Sequence, residues 1–495
     1  MRGKRLIVMK FGGTSVGNAE RFRQCAEILR AAAAKDRIIV VVSAVAGVTD
    51  AILKTIEAAR HGDAAGIDAG LRKLGLEHQA LIAELFEDGH SHPDLSLANQ
   101  SFVDQILEQL RSSCHALLTL RSQISAETRD SLAALGERIS ARVLASYLGH
   151  IGINSEFVRA EDVIVTDSNF GNAAPDMQAT AERCQAVLLP IVDRGTIPIV
   201  TGYSGANKNG QTTTLGRGGS DYSATIIGAA AAAHEVWIWT DVDGVLTADP
   251  RICPDAATLP EISFAEAIEL AYYGAKVIHP KAAYPALDAG VPVWIKNSFR
   301  PQIHGTKITH SAAPFNSPVK AVTCVNHATL ITLVTRRDVH SAELFGRLFL
   351  RLGQEQVDLL FATQSSPEHA LGLVVRKEDA ARVLHLIQIV FRIELAQGVV
   401  LPLAIKNDIA VIAVLGESMR GTCGILGRVF SAVAGQQVSV IAVAQGASEL
   451  SICFAVDSAS AAEVVRAVHS EFCEGEAFAM SASSQPDLSL IAGAQ

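Results

Sequence analysis

Residues 212–225 read TTTLGRGGSDYSAT, and this stretch decides both the fold class and the kind of ligand we expect. Glycines surround Arg217, and glycines at this density permit backbone angles and close approaches that a β-carbon forbids. The letters SDYSATIIGAAAAA, which begin at Ser220, are typical of an N-cap followed by an alanine-rich helix. A glycine loop that opens onto a helix N-terminus presents unpaired N–H groups and the positive end of the helix dipole. The stretch therefore predicts an anion-binding loop.

The composition limits the class of protein around this loop. The chain has 495 residues, of which 49% are hydrophobic and 19% charged, as expected of a globular protein with roughly two to four domains. The apolar runs 38–48 and 223–233 are shorter than the roughly 18 residues that span a bilayer, and the first residues do not form a signal peptide. Eight cysteines without a C-x-x-C pair fit a reducing cytosol, so we expect a cytoplasmic protein that binds no membrane. A net charge of −9 without a basic tract argues against a nucleic-acid partner.

Strand-like and helical runs alternate from residue 6 to about 300. The strand-like runs are LIVMKF, RIIVVVSAV, TIPIVTGYSG, EVWIWTDVDG and VPVWIKNS, and helical patterns such as 125–148 and 263–275 lie between them. This alternation predicts an α/β fold with a mainly parallel sheet sandwiched by helices. The segment GANKNGQ resembles a P-loop but lacks its lysine, so we interpret it as a hairpin. Residues 301–318 lose periodicity and predict a linker.

The remainder of the chain contains an internal repeat. Residues 330–352 align with 411–433 at a constant offset of 81, which also places Gln364 opposite Gln445. Each copy reads strand, loop, helix, strand, turn, strand, which predicts two small α+β domains. The loops of such domains suit a small ligand, and a duplicated dimerisation module without a ligand is the equal alternative.

Candidate ligand-binding residues follow predicted strands, where α/β proteins bind ligands, or lie at a helix end. KFGGTSVGN comes directly after the first strand, so Lys10 lies at a strand end and the glycines let the backbone approach a phosphate. The alternative is a solvated lysine beside an ordinary glycine turn. The other candidates in such positions are Gly12, Gly13, Thr14, Thr49, Thr240, Asp241, Arg251 and Lys276.

Glu137 lies on the alanine-lined face of the predicted helix SLAALGERISARVLASYL. A carboxylate there suits an ammonium group, as the guanidinium of Arg217 suits a carboxylate; an exposed surface glutamate is the alternative. Lysines, arginines and isolated aspartates at strand ends, without a nucleophile–histidine pair, are typical of phosphoryl transfer. A substrate carboxylate is already a nucleophile at neutral pH, so we expect no general base.

The ordered set KFGGTSV, SAVAGVT, LGERISAR, GYSGANKNGQTTTLGRGGSDYSA, WTDVDGV, ADPR and GAKVIHP resembles aspartate kinase of the amino-acid kinase superfamily. The repeat resembles the tandem ACT domains of that family, which are ferredoxin-like α+β regulatory domains. The resemblance implies ATP-dependent phosphorylation of the β-carboxylate of L-aspartate to 4-phospho-L-aspartate. This is the first step towards lysine, threonine, methionine and, in bacteria, diaminopimelate. Because no G-x-G-x-x-G follows the repeat, we expect no fused homoserine dehydrogenase.

The resemblance also assigns roles to the candidates. The expected catalytic residues are Lys10, Arg217 and Asp221. The expected aspartate-binding residues are Thr49, Glu137, Arg217 and Ser220. The expected nucleotide-binding residues are Lys10, Gly12, Gly13, Thr14, Thr240, Asp241, Arg251 and Lys276. Mg²⁺ would be carried by ATP without a direct protein ligand.

For regulation and assembly, the resemblance implies an amino-acid effector, lysine and/or threonine, at the ACT domains near Gln364 and Gln445. It also implies a homodimer or a dimer of dimers formed through the ACT domains. The expected domains are the kinase domain 1–300, the linker 301–318, the first ACT domain 319–405 completed by 473–490, and the second ACT domain 406–472.

Two departures from the family pattern keep other functions open. Leu246 stands where the family has a tyrosine, and the first ACT copy, TRRDVHSAELFG, lacks the glycine that follows its strand in the family. The alternatives are a catalytically silent amino-acid-binding regulator and a related kinase that acts on N-acetylglutamate, glutamate or carbamate.

Overall fold

The computed structural model describes residues 4–86, 93–120, 124–275, 278–313, 315, 317–365 and 369–473. The strands are β1 (Leu6–Phe11), β2 (Arg37–Val42), β3 (Ser155–Val158), β4 (Val165–Thr166), β5 (Ile197–Thr201), β6 (Ser204–Asn207), β7 (Thr212–Thr214), β8 (Glu235–Thr240), β9 (Glu261–Ser263), β10 (Val293–Asn297), β11 (Thr306–Thr309), β12 (Ala321–Val334), β13 (Leu359–Ser365), β14 (Ala370–Arg376), β15 (Ala404–Leu415), β16 (Ala442–Gln445) and β17 (Ser451–Asp457). The helices are α1 (Ala19–Lys35), α2 (Val48–Arg60), α3 (Ala64–Phe86), α4 (Pro93–Leu120), α5 (Ala126–Ala133), α6 (Leu135–His150), α7 (Met177–Arg183), α8 (Leu189–Asp193), α9 (Gly219–Ala230), α10 (Phe264–Tyr272), α11 (Pro280–Ala289), α12 (Ser341–Gln354), α13 (Lys377–Val390), α14 (Arg392–Ala396), α15 (Ile425–Gly435) and α16 (Ala461–Cys473).

The first of two compact units comprises the described parts of 1–244, 260–264 and 278–312. Its main sheet has the strand order β3-β5-β2-β1-β8-β10-β11-β9 among the described residues, and the pairs from β3 to β10 are parallel. Every residue of β1 is buried, as expected for a parallel strand with both faces covered. The predicted α/β fold is confirmed, and GANKNGQ joins the antiparallel strands β6 and β7 as the hairpin that we predicted.

Two sequence predictions in this unit were wrong in part. Residues 306–309, which we assigned to the linker, form β11, an antiparallel neighbour of β10 with Ile308 fully buried. A strand of four residues is too short to produce a clear periodic pattern. The helix predicted at 125–148 is two helices, α5 and α6, separated at Ala134. Alanine is the best helix former, so the sequence gives no sign of that break.

The second unit comprises the described parts of 245–259, 265–277 and 313–495. Its antiparallel sheet has the order β13-β14-β12-β15-β17-β16 among the described residues. The structure reproduces the repeat to the residue, because Gln364 pairs with Leu371 in one copy and Gln445 pairs with Ile452 in the other. Each copy is followed by a further helix, α13 and α16 respectively. The prediction of two small α+β units is therefore confirmed.

The two copies share their central strands. The first half of β12, Ala321–Val325, pairs with the second half of β15, Val411–Leu415, which belongs to the second copy. The second half of β12 pairs with β14 and with the first half of β15, which gives the first copy its fourth strand. The segment 473–490, expected to complete the first copy, lies outside the described residues apart from Cys473. The other domain limits of the sequence analysis remain predictions.

The hydrophobic cores of the units come from residues with the predicted periodicity. In the first unit, Ile7, Met9 and Phe11 of β1 pack with α1, α2, α3 and α6. The buried residues of α1, α2 and α3 recur with a helical period, whereas α6 is buried over most of its surface. In the second unit, β12 and β14 pack against α12 and α13 through residues such as Phe345 and Ile387. Among the described helices, none is long and apolar enough to cross a membrane.

Candidate active site

An ion pair lies at the carboxyl end of β1. Lys10 is 8% exposed, and its Nζ lies 2.6 Å from Oδ1 of Asp221 in the first turn of α9. The contact is an ion pair whose angles do not make a hydrogen bond, because the same Oδ1 has no hydrogen-bond partner among the described residues. Taking two charges out of water costs free energy that their mutual attraction offsets only in part, so this pair is weak evidence for a stabilising role. The alternative of a solvated Lys10 is wrong.

The glycine turn after β1 gives the backbone access to this pair. Gly12 leaves room beside the ammonium group, because a Cβ there would lie 3.3 Å from Lys10 Nζ. Gly13 packs against the loop after β2, where a Cβ would come within 2.9 Å of the carbonyl oxygen of Ala44. Residues 13–16 then form a 3₁₀ turn in which Thr14 is exposed. The turn thus presents N–H groups and a hydroxyl beside a buried cation, as a phosphate site requires.

Glu137 lies in the first turn of α6 and is 3% exposed. Burial raises the pKa of its carboxyl group to about 7, although the backbone N–H of Ala44 stabilises the ionised form. Its Oε2 has no hydrogen-bond partner among the described residues. The alternative of an exposed surface glutamate is wrong, because Gly136 lets α6 pack directly on the loop after β2, where a Cβ would lie 2.8 Å from that of Ala44. A buried carboxylate with one free oxygen suits a ligand cation.

The loop before α9 is held in an open conformation by glycines. Gly216 and Gly218 have φ angles of 81° and 70°, and Gly218 is the N-cap of α9. Arg217 between them is exposed and makes no hydrogen bond or ion pair with any described residue. Ser220 is buried against Gly202, where a Cβ would lie 2.8 Å from the serine Oγ. The loop therefore offers a free guanidinium beside a helix N-terminus, in agreement with the predicted anion-binding loop.

The remaining candidates of the first unit lie on neighbouring loops. Thr49 is half-buried in the first turn of α2, directly after Gly47, whose φ is 81°. Thr240 ends β8, and its Oγ1 donates a hydrogen bond to Oδ1 of the exposed Asp241 at 3.2 Å. β1 and β8 are parallel neighbours, so their carboxyl ends meet at one edge of the sheet.

Other predicted residues lie in the second unit or outside the described residues. Arg251 is exposed and paired with Asp249 at 2.6 Å, which raises the pKa of its guanidinium. Leu246 bridges to Thr258 in the same segment. Gln364 and Gln445 are exposed on β13 and β16. Lys276 lies outside the described residues.

Sequence reasoning missed two residues that support the site. Asp130 is buried, and its Oδ2 accepts hydrogen bonds from the backbone N–H groups of Gly171 and Thr214, both at 2.7 Å. Lys281 donates to Oδ1 of Asn172 at 2.7 Å and to the carbonyl oxygen of Leu215 at 3.3 Å, two residues before Arg217. Burial lowers the pKa of Lys281. The one local sequence feature that marks Lys281 is its position directly after His279-Pro280 at a helix start.

The carboxylates at this sheet edge do not form a metal cage. Within the described residues, no group of three or more His, Cys, Asp and Glu side chains is arranged to hold a metal ion. Asp221 and Asp241 belong to the ends of different elements. Single carboxylates of this kind fit Mg²⁺ that is held mainly by phosphate oxygens and water.

Comparison with known proteins gives the same class. Residues 5–297 match the model of the amino acid kinase family, and residues 412–472 match an ACT domain. The chain is 30% identical to the lysine-sensitive aspartokinase 3 of Escherichia coli, over 95% of this chain and 99% of that protein. It is 29% identical to the bifunctional aspartokinase/homoserine dehydrogenase of Haemophilus influenzae, of which it spans 56%.

The fold of the whole chain is also found among solved structures. E. coli aspartokinase III in complex with aspartate and ADP has a TM-score of 0.79 and 28% identity, over 95% of this chain and all of that one. The structure of that enzyme with lysine and aspartate has a TM-score of 0.77. The chain therefore belongs to the amino acid kinase family and, within it, to the aspartokinases.

Proposed function

We propose that this chain transfers the γ-phosphoryl group of ATP to the β-carboxylate of L-aspartate, giving 4-phospho-L-aspartate and ADP. The observation that carries the proposal is the arrangement around Ala44 at the sheet edge. Its N–H donates to the buried Glu137, and its carbonyl oxygen packs against Gly13 of the glycine turn, two residues after β1 ends at Phe11. A site for a cationic group and a turn suited to phosphate thus share one loop. The names of the E. coli and H. influenzae relatives support the same assignment.

Aspartate has three charged groups, and the site offers a partner for two of them. We assign its α-ammonium group to the free Oε2 of Glu137 and its α-carboxylate to the guanidinium of Arg217, with Thr49 and Ser220 beside them. Those two contacts leave the β-carboxylate as the group free to react. Glutamate, which is one methylene longer, would place its carboxylate out of reach, and N-acetylglutamate has no ammonium group for Glu137.

The chemical step needs little beyond position and charge. An oxygen of the β-carboxylate attacks the γ-phosphorus and forms a new O–P bond. The bond from this phosphorus to the bridging oxygen of ADP breaks, and ADP leaves with the electron pair. Lys10 stabilises the negative charge on the transferring group, and Asp221 holds the Lys10 ammonium in place. No proton moves, because the attacking carboxylate is ionised at neutral pH.

The nucleotide and its metal complete the site. We assign ATP to Gly12, Gly13, Thr14, Thr240 and Asp241, with Arg251 and Lys276 as further contacts. Mg²⁺, carried by ATP, would neutralise the β- and γ-phosphates. The structure of E. coli aspartokinase III with aspartate and ADP supports this pair of ligands.

We further propose that the repeat binds an end-product amino acid, lysine and/or threonine, near Gln364 and Gln445. The solved complex of E. coli aspartokinase III with lysine supports an effector of this kind. The proposal includes a cytoplasmic homodimer or dimer of dimers, assembled through the repeat, that starts the synthesis of lysine, threonine, methionine and diaminopimelate.

A trapping assay tests the function. The purified chain is incubated with Mg-ATP, hydroxylamine and L-aspartate, and an acyl phosphate is detected as its hydroxamate. Parallel reactions contain glutamate or N-acetylglutamate. A hydroxamate from aspartate alone is the expected result. A hydroxamate formed from another substrate would identify a related carboxylate kinase instead of an aspartate kinase. The absence of a hydroxamate from every substrate would indicate a catalytically silent regulator.

A further inference from the structure

The segment after β10 contacts two loops of the candidate site, and the proposed mechanism does not use it. Asn297 ends β10 and is 2% exposed, and Ser298 follows it at 1% exposed. β10 is the parallel neighbour of β8, so this segment emerges beside Thr240. Both side chains are polar and hydrogen-bonded, as buried polar groups normally are, so their partners show which parts of the chain they hold together.

Asn297 holds the turn that follows β8. Its Nδ2 donates to Oδ1 of Asp243 at 2.6 Å, and its Oδ1 accepts from the backbone N–H of Phe299 at 2.8 Å. Arg300 forms an ion pair with the other carboxylate oxygen, Oδ2, of Asp243. Both oxygens of Asp243 are therefore held by one segment, which fixes the turn that begins at Asp241.

Ser298 connects the same turn to the glycine turn after β1. Its N–H and Oγ lie 2.8 Å and 3.0 Å from the carbonyl oxygen of Thr240, to which both donate. Its Oγ also lies 2.7 Å from Oγ of Ser15 in the 3₁₀ turn, and Ser15 Oγ lies 3.3 Å from the carbonyl oxygen of Trp239. Because Ser298 Oγ gives its proton to the carbonyl oxygen of Thr240, Ser15 Oγ is the donor to Ser298 Oγ, and this hydrogen bond joins the glycine turn to the end of β8.

We propose that Asn297 and Ser298 are positioning residues for phosphoryl transfer: Asn297 fixes the nucleotide turn 240–243, and Ser298 sets its place relative to the phosphate turn 12–16. The inference rests on the proposed function, which assigns ATP to these two turns. Neither side chain needs to touch a substrate. A displacement of about 1 Å between such loops costs up to about a hundredfold in rate, so two buried hydrogen-bonding side chains are enough to matter.

Binding of Mg-ADP, measured by isothermal titration calorimetry, tests the role of Asn297. Asn297→Ala should weaken Mg-ADP binding and raise the KM for ATP by about tenfold, with the KM for aspartate unchanged, because the lost amide leaves the carboxylate of Asp243 and the backbone N–H of Phe299 to rearrange. Asn99→Ala is the matched control, since Asn99 is a buried asparagine that donates to Leu95 in α4. The exchange Asn297→Asp with Asp243→Asn recreates the hydrogen bond in reverse and should restore part of the affinity, although it removes the ion pair of Arg300 with Asp243.

Ser298→Ala tests the second contact. We expect kcat to fall about tenfold with both KM values nearly unchanged, because the ligands still bind but their reacting groups are displaced. Ser15→Ala should have the same effect, and the double variant should be no worse than either single one, as expected of two groups in one contact. Ser155→Ala, which removes a hydroxyl bonded to Ala145, is the control.

The outcomes separate this inference from the proposed function. Normal Mg-ADP binding by a folded Asn297→Ala variant, or equal losses in Mg-ADP and aspartate affinity, would overturn the role of Asn297. An unchanged kcat in Ser298→Ala would overturn the role of Ser298. A wild-type chain that binds Mg-ADP but forms no aspartyl hydroxamate would refute aspartate as the substrate. The Mg-ADP binding test of Asn297 would still apply. A wild-type chain that does not bind Mg-ADP would overturn both.

Discussion

The catalytic sheet edge of the first unit and the repeat of the second unit are both proposed to bind an amino acid, but they are built differently. At the sheet edge, Lys10 and Glu137 are buried, and Lys10 is already paired with Asp221. In the repeat, Gln364 and Gln445 are exposed on β13 and β16. Charges that are desolvated in advance act strongly on a bound ligand, whereas an exposed amide gives up water to bind and gains little. Substitutions at the sheet edge should therefore change the kinetic constants strongly, and substitutions in the repeat should change inhibition only slightly.

The largest effect should follow removal of the buried ammonium group. Lys10→Ala should reduce kcat at least about a thousandfold, because the transferring phosphoryl group loses its nearest fixed cation. Turnover is measured by the hydroxamate assay, and circular dichroism checks that the fold is intact. Lys73→Ala, which removes an exposed lysine of α3, should leave the rate unchanged. A Lys10→Ala variant with the wild-type rate would remove this residue from the mechanism.

Arg217 should have the next largest effect, mainly on aspartate. Arg217→Ala should raise the KM for aspartate about a hundredfold and Arg217→Lys about tenfold, because an ammonium group cannot replace the two parallel hydrogen bonds of a guanidinium. The KM for ATP should stay within about twofold in both variants. If the KM values for ATP and aspartate rose equally, Arg217 would stabilise the loop rather than bind the substrate carboxylate.

The pH dependence should show the buried carboxylate directly. Because the pKa of Glu137 is about 7 and only the ionised form attracts an ammonium group, kcat/KM for aspartate should rise about tenfold per pH unit up to that value and then level off. Glu137→Gln should lower the plateau and abolish the rise. A wild-type profile that stays flat from about one pH unit below this pKa to about one unit above it would contradict this assignment.

The same shift has a consequence for stability. The folded chain keeps the proton on Glu137 up to about pH 7, whereas the unfolded chain loses it near the ordinary value of 4.5. The contribution of this group to the free energy of unfolding is therefore fully present below pH 4.5 and is lost as the pH rises to about 7. Glu137→Gln should remove this part of the pH dependence in denaturant titrations.

The smallest effects should come from the repeat, and its two copies should differ. The loop of the second copy contains Gly421 and Gly424 with φ angles of 69° and 86°, whereas Arg336 and Asp338 close the first loop as an ion pair. Gln445→Ala should raise the concentration of lysine or threonine that halves activity about fivefold, and Gln364→Ala less than about twofold. Equal shifts in both variants would show that the copies act alike.

The sequence predicted most of the sheet edge because glycine and lysine after a buried apolar run are strong local signals. It could not predict that Glu137 is buried, because this depends on Gly136 meeting Ala44, which lies about ninety residues earlier in the chain. Asp130 and Ser298 were missed for the same reason, since their partners are distant in sequence. The repeat was visible as a constant offset, but the sharing of β12 and β15 between the copies depends on strand pairing alone. Local sequence patterns therefore predicted which residue types lie at the site, whereas contacts between residues distant in sequence could not be predicted.

Oxygen-isotope transfer tests the central claim most directly. The chain is supplied with Mg-ATP, hydroxylamine and L-aspartate labelled with ¹⁸O in its β-carboxylate, and the released phosphate is analysed by mass spectrometry. If the β-carboxylate attacks the γ-phosphorus, hydroxylamine then displaces a phosphate that carries one labelled oxygen, and Lys10→Ala forms none. Released phosphate without the label would show that water, not aspartate, receives the phosphoryl group, and it would contradict the account.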